Sequence, residues 1–240
     1  MKPAADSSIL AAALIVSLVW LSPARALADE LPADTNQIER LTLEQATALA
    51  GSTAGWVRLP NLTALDAATA KALAEFKGQD LSLNGLTTLD AATAKALAEF
   101  KGQELFLGLT SLDADLAKTL AGSTAWDGRV PKLTTLDIDI AKTLAALDKW
   151  DGTLSSIVAI ESPDSVEIAA ALATRKGPLS LPNLKKISPK TLTALIEKED
   201  VKIPLIETLE LIQEPDGSPT DDFMIPKEFQ TRQKRRQQGR

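Results

Sequence analysis

The chain has 240 residues and a formal charge of −6, from 26 basic and 32 acidic side chains, and it contains no histidine, cysteine or tyrosine. These absences remove the commonest general base, the thiol nucleophile and the usual zinc and copper ligand sets, so carboxylates are the main groups left for acid–base chemistry. Without cysteine there is no disulfide to staple the fold and no thiol to carry a lipid anchor.

At the N-terminus, Lys2 precedes the uncharged apolar run Ile9–Leu21, followed by Ser22-Pro23 and by Ala26-Leu27-Ala28 before the acidic Asp29-Glu30. That is the layout of a secretory signal peptide over residues 1–28, cleaved after Ala28. The run of 13 residues is short of the about 20 that a membrane-spanning helix needs; an uncleaved signal anchor is the alternative. No later stretch is long and apolar enough to span, so the expected product is soluble and secreted, or resident in the periplasm or cell envelope.

The next segment, 29–212, is organised by repetition. Thr63–Gln79 reads TALDAATAKALAEFKGQ, and 24 residues later Thr87–Gln103 reads TTLDAATAKALAEFKGQ, differing at one position. The frame continues as seven tripeptides, Val57-Arg58-Leu59, Leu81-Ser82-Leu83, Leu105-Phe106-Leu107, Gly128-Arg129-Val130, Gly152-Thr153-Leu154, Leu179-Ser180-Leu181 and Val201-Lys202-Ile203, whose last residues lie 24, 24, 23, 24, 27 and 22 positions apart. A turn element such as Pro60-Asn61 or Asn84-Gly85 follows most of them, then two apolar residues three apart, as in Leu62/Leu65 and Leu133/Leu136. Repetition at this period signals stacked units, none able to close a core alone.

Within each unit the apolar period changes from two to about 3.6, so a short strand gives way to a helix. Helices are predicted near 42–50, 66–76, 90–100, 113–121, 137–148, 163–175 and 189–198. Thr42 with Gln45 reads as a capping box, Asp66, Asp90, Asp113 and Asp137 as N-caps, and Ser162-Pro163 and Ser188-Pro189 as cap plus first helical residue. Gly51, Gly78, Gly102, Gly122 and Gly177 are expected to close their helices in the left-handed conformation.

This strand, turn and helix grammar, typified by LSLNGLTTLDAATAKALAEFKG at 81–102, resembles the leucine-rich-repeat proteins, in particular the short alanine-rich variants of secreted bacterial proteins. The resemblance implies an α/β fold: a right-handed solenoid of about seven repeats, with a narrow parallel sheet on one face and helices on the other. It departs from the family pattern in one respect. The position three residues after the last strand leucine, where the family has an asparagine ladder, holds Leu62, Leu86, Leu133, Ile157, Leu184 and Ile206. A right-handed strand–helix solenoid of another lineage fits the same frame.

Residues 213–240 lack apolar periodicity and are expected to be disordered, acidic over Gln213–Asp222 and basic at the end. From Pro226 onward the tail carries +5, and the body from Asp29 to Ile225 carries −12. A body of that charge is a poor match for nucleic acid. The basic tail suits an anionic envelope polymer, a membrane surface or the protein's own acidic body; a solubilising tail without a partner is the plainer reading.

Two recurrent motifs bear on chemistry. The capping aspartates lie a repeat apart and do not form the converging pair a glycosidase needs. Trp126-Asp127-Gly128-Arg129 and Trp150-Asp151-Gly152-Thr153 set an aromatic beside a carboxylate, which suits sugar stacking, although a helix-to-strand turn packed by tryptophan explains them as well. Along a strand, alternate side chains point to opposite faces, so the middle residues of the tripeptides form an outward column: Arg58, Ser82, Phe106, Arg129, Thr153, Ser180 and Lys202. An aromatic flanked by arginines suits a protein–protein contact. The expected function is therefore non-catalytic and cofactor-free, the binding of a protein partner through the strand face; the alternative is a carbohydrate- or cell-wall-binding module of the envelope.

Overall fold

The computed structural model describes residues 34–214, 216–218 and 224–238; the signal peptide expected over 1–28 lies outside the described residues. It is a mixed α/β structure with eight helices and short parallel strands. In chain order these are α1 (Leu43–Ala50), β1 (Trp56–Arg58), α2 (Ala67–Ala74), β2 (Asp80–Leu83), α3 (Ala91–Ala98), β3 (Glu104–Leu107), α4 (Ala114–Ala121), α5 (Ile138–Ala146), β4 (Ala159–Ile160), α6 (Ser165–Ala173), β5 (Leu179–Ser180), β6 (Lys186–Ile187), α7 (Pro189–Ile196), β7 (Val201–Lys202), β8 (Glu210–Leu211) and α8 (Lys227–Gln238). No helix of the described residues is long and apolar enough to cross a membrane.

The seven predicted helices are all present, and each helix from α1 to α5 packs on its successor, as does α6 on α7. Their caps explain where they start. Thr42 and Gln45 form the reciprocal capping box, and Asp66, Asp90, Asp113 and Asp137 accept from the backbone N–H groups of Thr69, Thr93, Leu116 and Ile140. Ser188 caps α7 with Pro189 behind it. Ser162, by contrast, caps nothing: Pro163 and Asp164 form a turn, α6 begins at Ser165, and the Ser162 hydroxyl is buried without a partner.

The caps also set an acid limb of stability. The Thr69 and Thr93 N–H groups first, and their hydroxyls second, hold the Asp66 and Asp90 carboxyls below the ordinary range. A carboxylate depressed in the folded state stabilises fully above its unfolded pKa of about 3.9 and loses that contribution as pH falls through the folded value. The denaturation midpoint is accordingly expected to fall on acidification below about pH 4. The double variant Asp66→Asn, Asp90→Asn, which keeps the cap acceptors but cannot titrate, should show a shallower fall; an identical acid limb in both proteins would refute the assignment.

The helix-closing glycines act through space and not through a left-handed backbone. Gly51 and Gly122 stay right-handed, at φ −81° and −70°, and positive φ occurs among the described glycines only at Gly128, Gly152 and Gly217. At Gly102 a Cβ would lie 2.1 Å from Phe100 Cζ and 2.6 Å from the Gln79 carbonyl oxygen of the preceding repeat; at Gly78 it would lie 2.1 Å from Phe76 Cζ. The two rings stack parallel, centroids 6.4 Å apart, so both glycines make room for a buried phenylalanine layer. Gly102→Ala is expected to destabilise measurably. Gly51→Ala, whose Cβ would meet only helical carbonyls at the ordinary contact distances of 3.5 and 3.8 Å, should be neutral or stabilising by up to about 1 kcal/mol; equal denaturation midpoints for the two variants would contradict this reading.

The strands depart from the expected single sheet. β1, β2 and β3 pair in parallel at 24-residue offsets, Val57↔Leu81↔Leu105 and Arg58↔Ser82↔Phe106. β5 pairs with β7, and Thr153 bridges to Ser180. Between these groups the ladder is broken at 128–130, where Leu105 N–H turns to the Ala125 carbonyl at 3.0 Å. The cause is local. Asp127 and Asp151 carboxylates accept from the N–H groups of Arg129 (3.0 Å) and Thr153 (2.8 Å), which diverts donors that a ladder would use.

A second row of pairing runs just after the turns. β4, β6 and β8 form a parallel sheet, and Arg40 bridges to Ala64. Backbone bonds join Thr63 to Glu39, Thr110 to Thr87 and Thr134 to Thr110, and all three threonine hydroxyls donate to the same carbonyls. Threonine thus ties neighbouring turns to one another. Asn61 and Asn183 add single ties, to the Asn36 and Ser155 carbonyls.

The described residues within 213–240, namely 213–214, 216–218 and 224–238, depart from the expected disorder. Glu214 is buried and accepts from the Lys190 N–H at 2.7 Å, while the Lys190 ammonium holds Asp216 well below the usual carboxylate range. Further on, α8 is ordered because one apolar residue and two polar ones find partners on the body. Phe229 is 2% exposed, Arg232 donates to the Glu199 and Ile196 carbonyls at 2.9 and 3.3 Å, and Gln233 bonds Pro204 and Ile206.

Candidate functional site

The outward column divides into three situations. Arg58, Ser82 and Phe106 stand in register across β1, β2 and β3, and Thr153, Ser180 and Lys202 are joined in the same way further along. Arg129 lies off the ladder, at the break. Ser82 does not meet the expectation of an exposed surface: it is buried, with Asn84 Nδ2 donating to its hydroxyl at 3.1 Å. Arg58, Arg129 and Lys202 are exposed, and Phe106, Thr153 and Ser180 are half-buried.

The break brings the middle of the column together around a hollow. Phe106, Arg129 and Thr153 line an open depression of about 220 Å³ with Asn84, Asp151 and Ser155. The turns that lead into Arg129 and Thr153 follow from the motif spacing. Gly128 and Gly152 take φ +82° and +79°, which only glycine adopts cheaply, and this lets the chain turn sharply after each tryptophan. Trp126 and Trp150 are each 1% exposed and fill the interior, so neither indole offers a face to a sugar.

Arg129 is the hollow's charged element. Its Nε lies 3.1 Å from Asp127 Oδ2 and 3.7 Å from Asp151 Oδ2. Two carboxylates therefore orient the guanidinium and offset its charge, and its terminal nitrogens have no partner among the described residues. Such a group donates to carbonyl oxygens of an incoming chain. Phe106 beside it supplies apolar area. The hollow is smaller than the roughly 300–1,000 Å³ of pockets that enclose whole small molecules, so it suits a single side chain of a larger partner.

Sequence reading named Phe106, Arg129 and Thr153 but did not foresee Asn84, Asp151 or Ser155 as their neighbours. The available signal was the 24-residue spacing of the two tryptophan–aspartate–glycine motifs, which stacks Asp151 next to Arg129. No family model matches the chain, and neither a curated protein nor a solved structure matches it.

Proposed function

We propose that the chain is an exported, non-catalytic repeat protein, a right-handed solenoid of about seven strand–turn–helix units similar to the leucine-rich-repeat proteins, that binds a protein partner through its strand face. The solenoid reading is supported by parallel pairing at 24-residue offsets, by helices packed largely in chain order, and by side chains tying each turn to the one before. Export is supported by the segment Met1–Ala28.

One observation carries the binding reading: the hollow at the ladder break, where a half-buried aromatic adjoins a guanidinium already oriented by two carboxylates. Aromatic residues and arginine dominate the energetics of protein interfaces, and preorganised side chains lose less entropy on binding. The basic tail is not needed for this contact, because α8 is engaged on the body elsewhere.

The test is affinity. With a partner captured from the extracytoplasmic fraction by the unaltered protein, Phe106→Ala and Arg129→Ala are each expected to weaken binding by about tenfold or more. Unchanged affinity in both variants, with the fold intact by circular dichroism, would overturn the reading.

A further inference from the structure

The geometry points to a second interaction surface: the edge of β1 that is unpaired among the described residues, which pairs with β1 of a second copy of this chain to form a symmetric dimer. β1 is a terminal strand of its sheet. Asp80 N–H donates to Gly55 O and Leu59 N–H donates to Ser82 O, so residues 55, 57 and 59 direct their backbone groups to β2. By strand alternation the N–H and C=O groups of Trp56 and Arg58 point the other way. None of these four groups has a partner among the described residues. Of the described residues before α1, 34–42, Asn36 O accepts from Asn61 Nδ2 at 2.7 Å on the neighbouring turn, and Glu39 and Arg40 join the second ladder at Thr63 and Ala64.

An unpaired edge is a template for another strand, and this edge is complementary to itself. In an antiparallel pair centred on Val57, Trp56 of each copy stands opposite Arg58 of the other, and each such pair exchanges both backbone bonds. The side chains match as well. Trp56 is 55% exposed, the largest exposed aromatic among the described residues, and the Arg58 guanidinium already lies over its ring at 4.8 Å. In the dimer each guanidinium sits between its own indole and the other copy's, a cation–π arrangement repeated by the two-fold axis. No like charges are set opposite one another.

A second copy is favoured over a longer assembly because the two ends of the repeat array differ. α8 is docked at residues 196–206 of the opposite end, whereas pairing of β1 with β1 consumes the one edge it uses and closes the assembly. The sheet then continues from β3 through β1 of one copy into β1 and β3 of the other. Both Phe106–Arg129 hollows lie on the same side of that sheet, so the dimer presents two partner sites in parallel, which raises avidity for a repetitive or dimeric partner.

Sedimentation across a concentration series tests this, using the unaltered chain, Trp56→Ala and Arg58→Pro. Proline at 58 removes an N–H that points away from β2, a substitution that edge strands tolerate, and Trp56→Ala leaves every backbone bond in place. The unaltered chain is expected to dimerise, and both variants should weaken the dimer by about tenfold or more with unchanged circular dichroism. A chain that stays monomeric at every concentration would overturn the proposal, as would a dimer that Trp56→Ala leaves unchanged.

Discussion

Replacing Arg175 with alanine is expected to lower the unfolding free energy by about 3 kcal/mol or more, because it removes three hydrogen bonds from a charged donor, one of them buried, at roughly 1.5–3 kcal/mol each. Arg175 is only 7% exposed and forms no direct ion pair among the described residues, although, behind the Lys198 ammonium, its charge helps to hold the Asp200 carboxyl below the ordinary range; its hydrogen bonds go to backbone carbonyls. Nε donates to Pro178 O at 3.1 Å, Nη1 to Leu147 O at 3.3 Å and Nη2 to Trp150 O, while the guanidinium lies 5.1 Å from the centre of the Trp150 ring. Leu147 and Trp150 belong to the segment that leaves α5, so a residue that follows α6 satisfies the carbonyls of the preceding helix end. A buried cation is costly unless its donors are all used, and the planar fork of arginine reaches three carbonyls that a lysine ammonium cannot match. Arg175→Lys should therefore recover only part of the loss. The same spot is closed by Gly152, where a Cβ would lie 1.9 Å from Pro178 O. Chemical denaturation provides the check: a shifted midpoint with unchanged slope is expected, and an Arg175→Ala midpoint equal to the parent's would show that water replaces the guanidinium without cost.

Phe229→Ala is expected to release α8, with a local cost of about 3–5 kcal/mol for truncating a buried phenylalanine. The helix has 12 residues, too few to persist undocked in water, and its other anchors are the polar Arg232 and Gln233. Loss of the ring also removes the surface over which the Arg232 guanidinium lies, 5.3 Å from the centroid. Amide exchange should accelerate across α8 and over residues 201–209, whose Ile206 N–H and Pro204 carbonyl bond Gln233, while the amides of β1 to β3 keep their protection. Uniform acceleration along the chain would mean that α8 is coupled to the whole fold, and no acceleration would mean that Phe229 does not hold it.

The tail shows where sequence reasoning falls short and why. Composition registered a polar, basic segment, and mean polarity cannot reveal that a single phenylalanine and two side-chain forks meet matching carbonyls more than 25 residues away. Helices were legible because a cap is a local device: Asp66 needs only Thr69 three residues on to mark a start. The glycines after the helices were read by the commonest local rule, yet Gly78 and Gly102 answer to a phenylalanine ring and a neighbouring repeat's backbone, which are tertiary facts. The strands were placed by their apolar frame, but Asp127 and Asp151 compete for the backbone donors of Arg129 and Thr153 and open the ladder between them. That interruption, invisible to periodicity, is what forms the hollow; Phe106, Arg129 and Thr153 were identifiable beforehand, and their gathering around a depression was not.

The most direct measurement of the central claim is a photo-crosslinking scan of the full chain. A crosslinking residue is placed in turn at Phe106, Arg129 and Thr153 on the strand side and at the exposed Lys71, Lys95 and Lys118 on α2, α3 and α4. One discrete protein adduct is expected from the strand-side positions and none from the helix positions. Adducts confined to the helix positions would contradict the assignment of the strand face as the recognition surface.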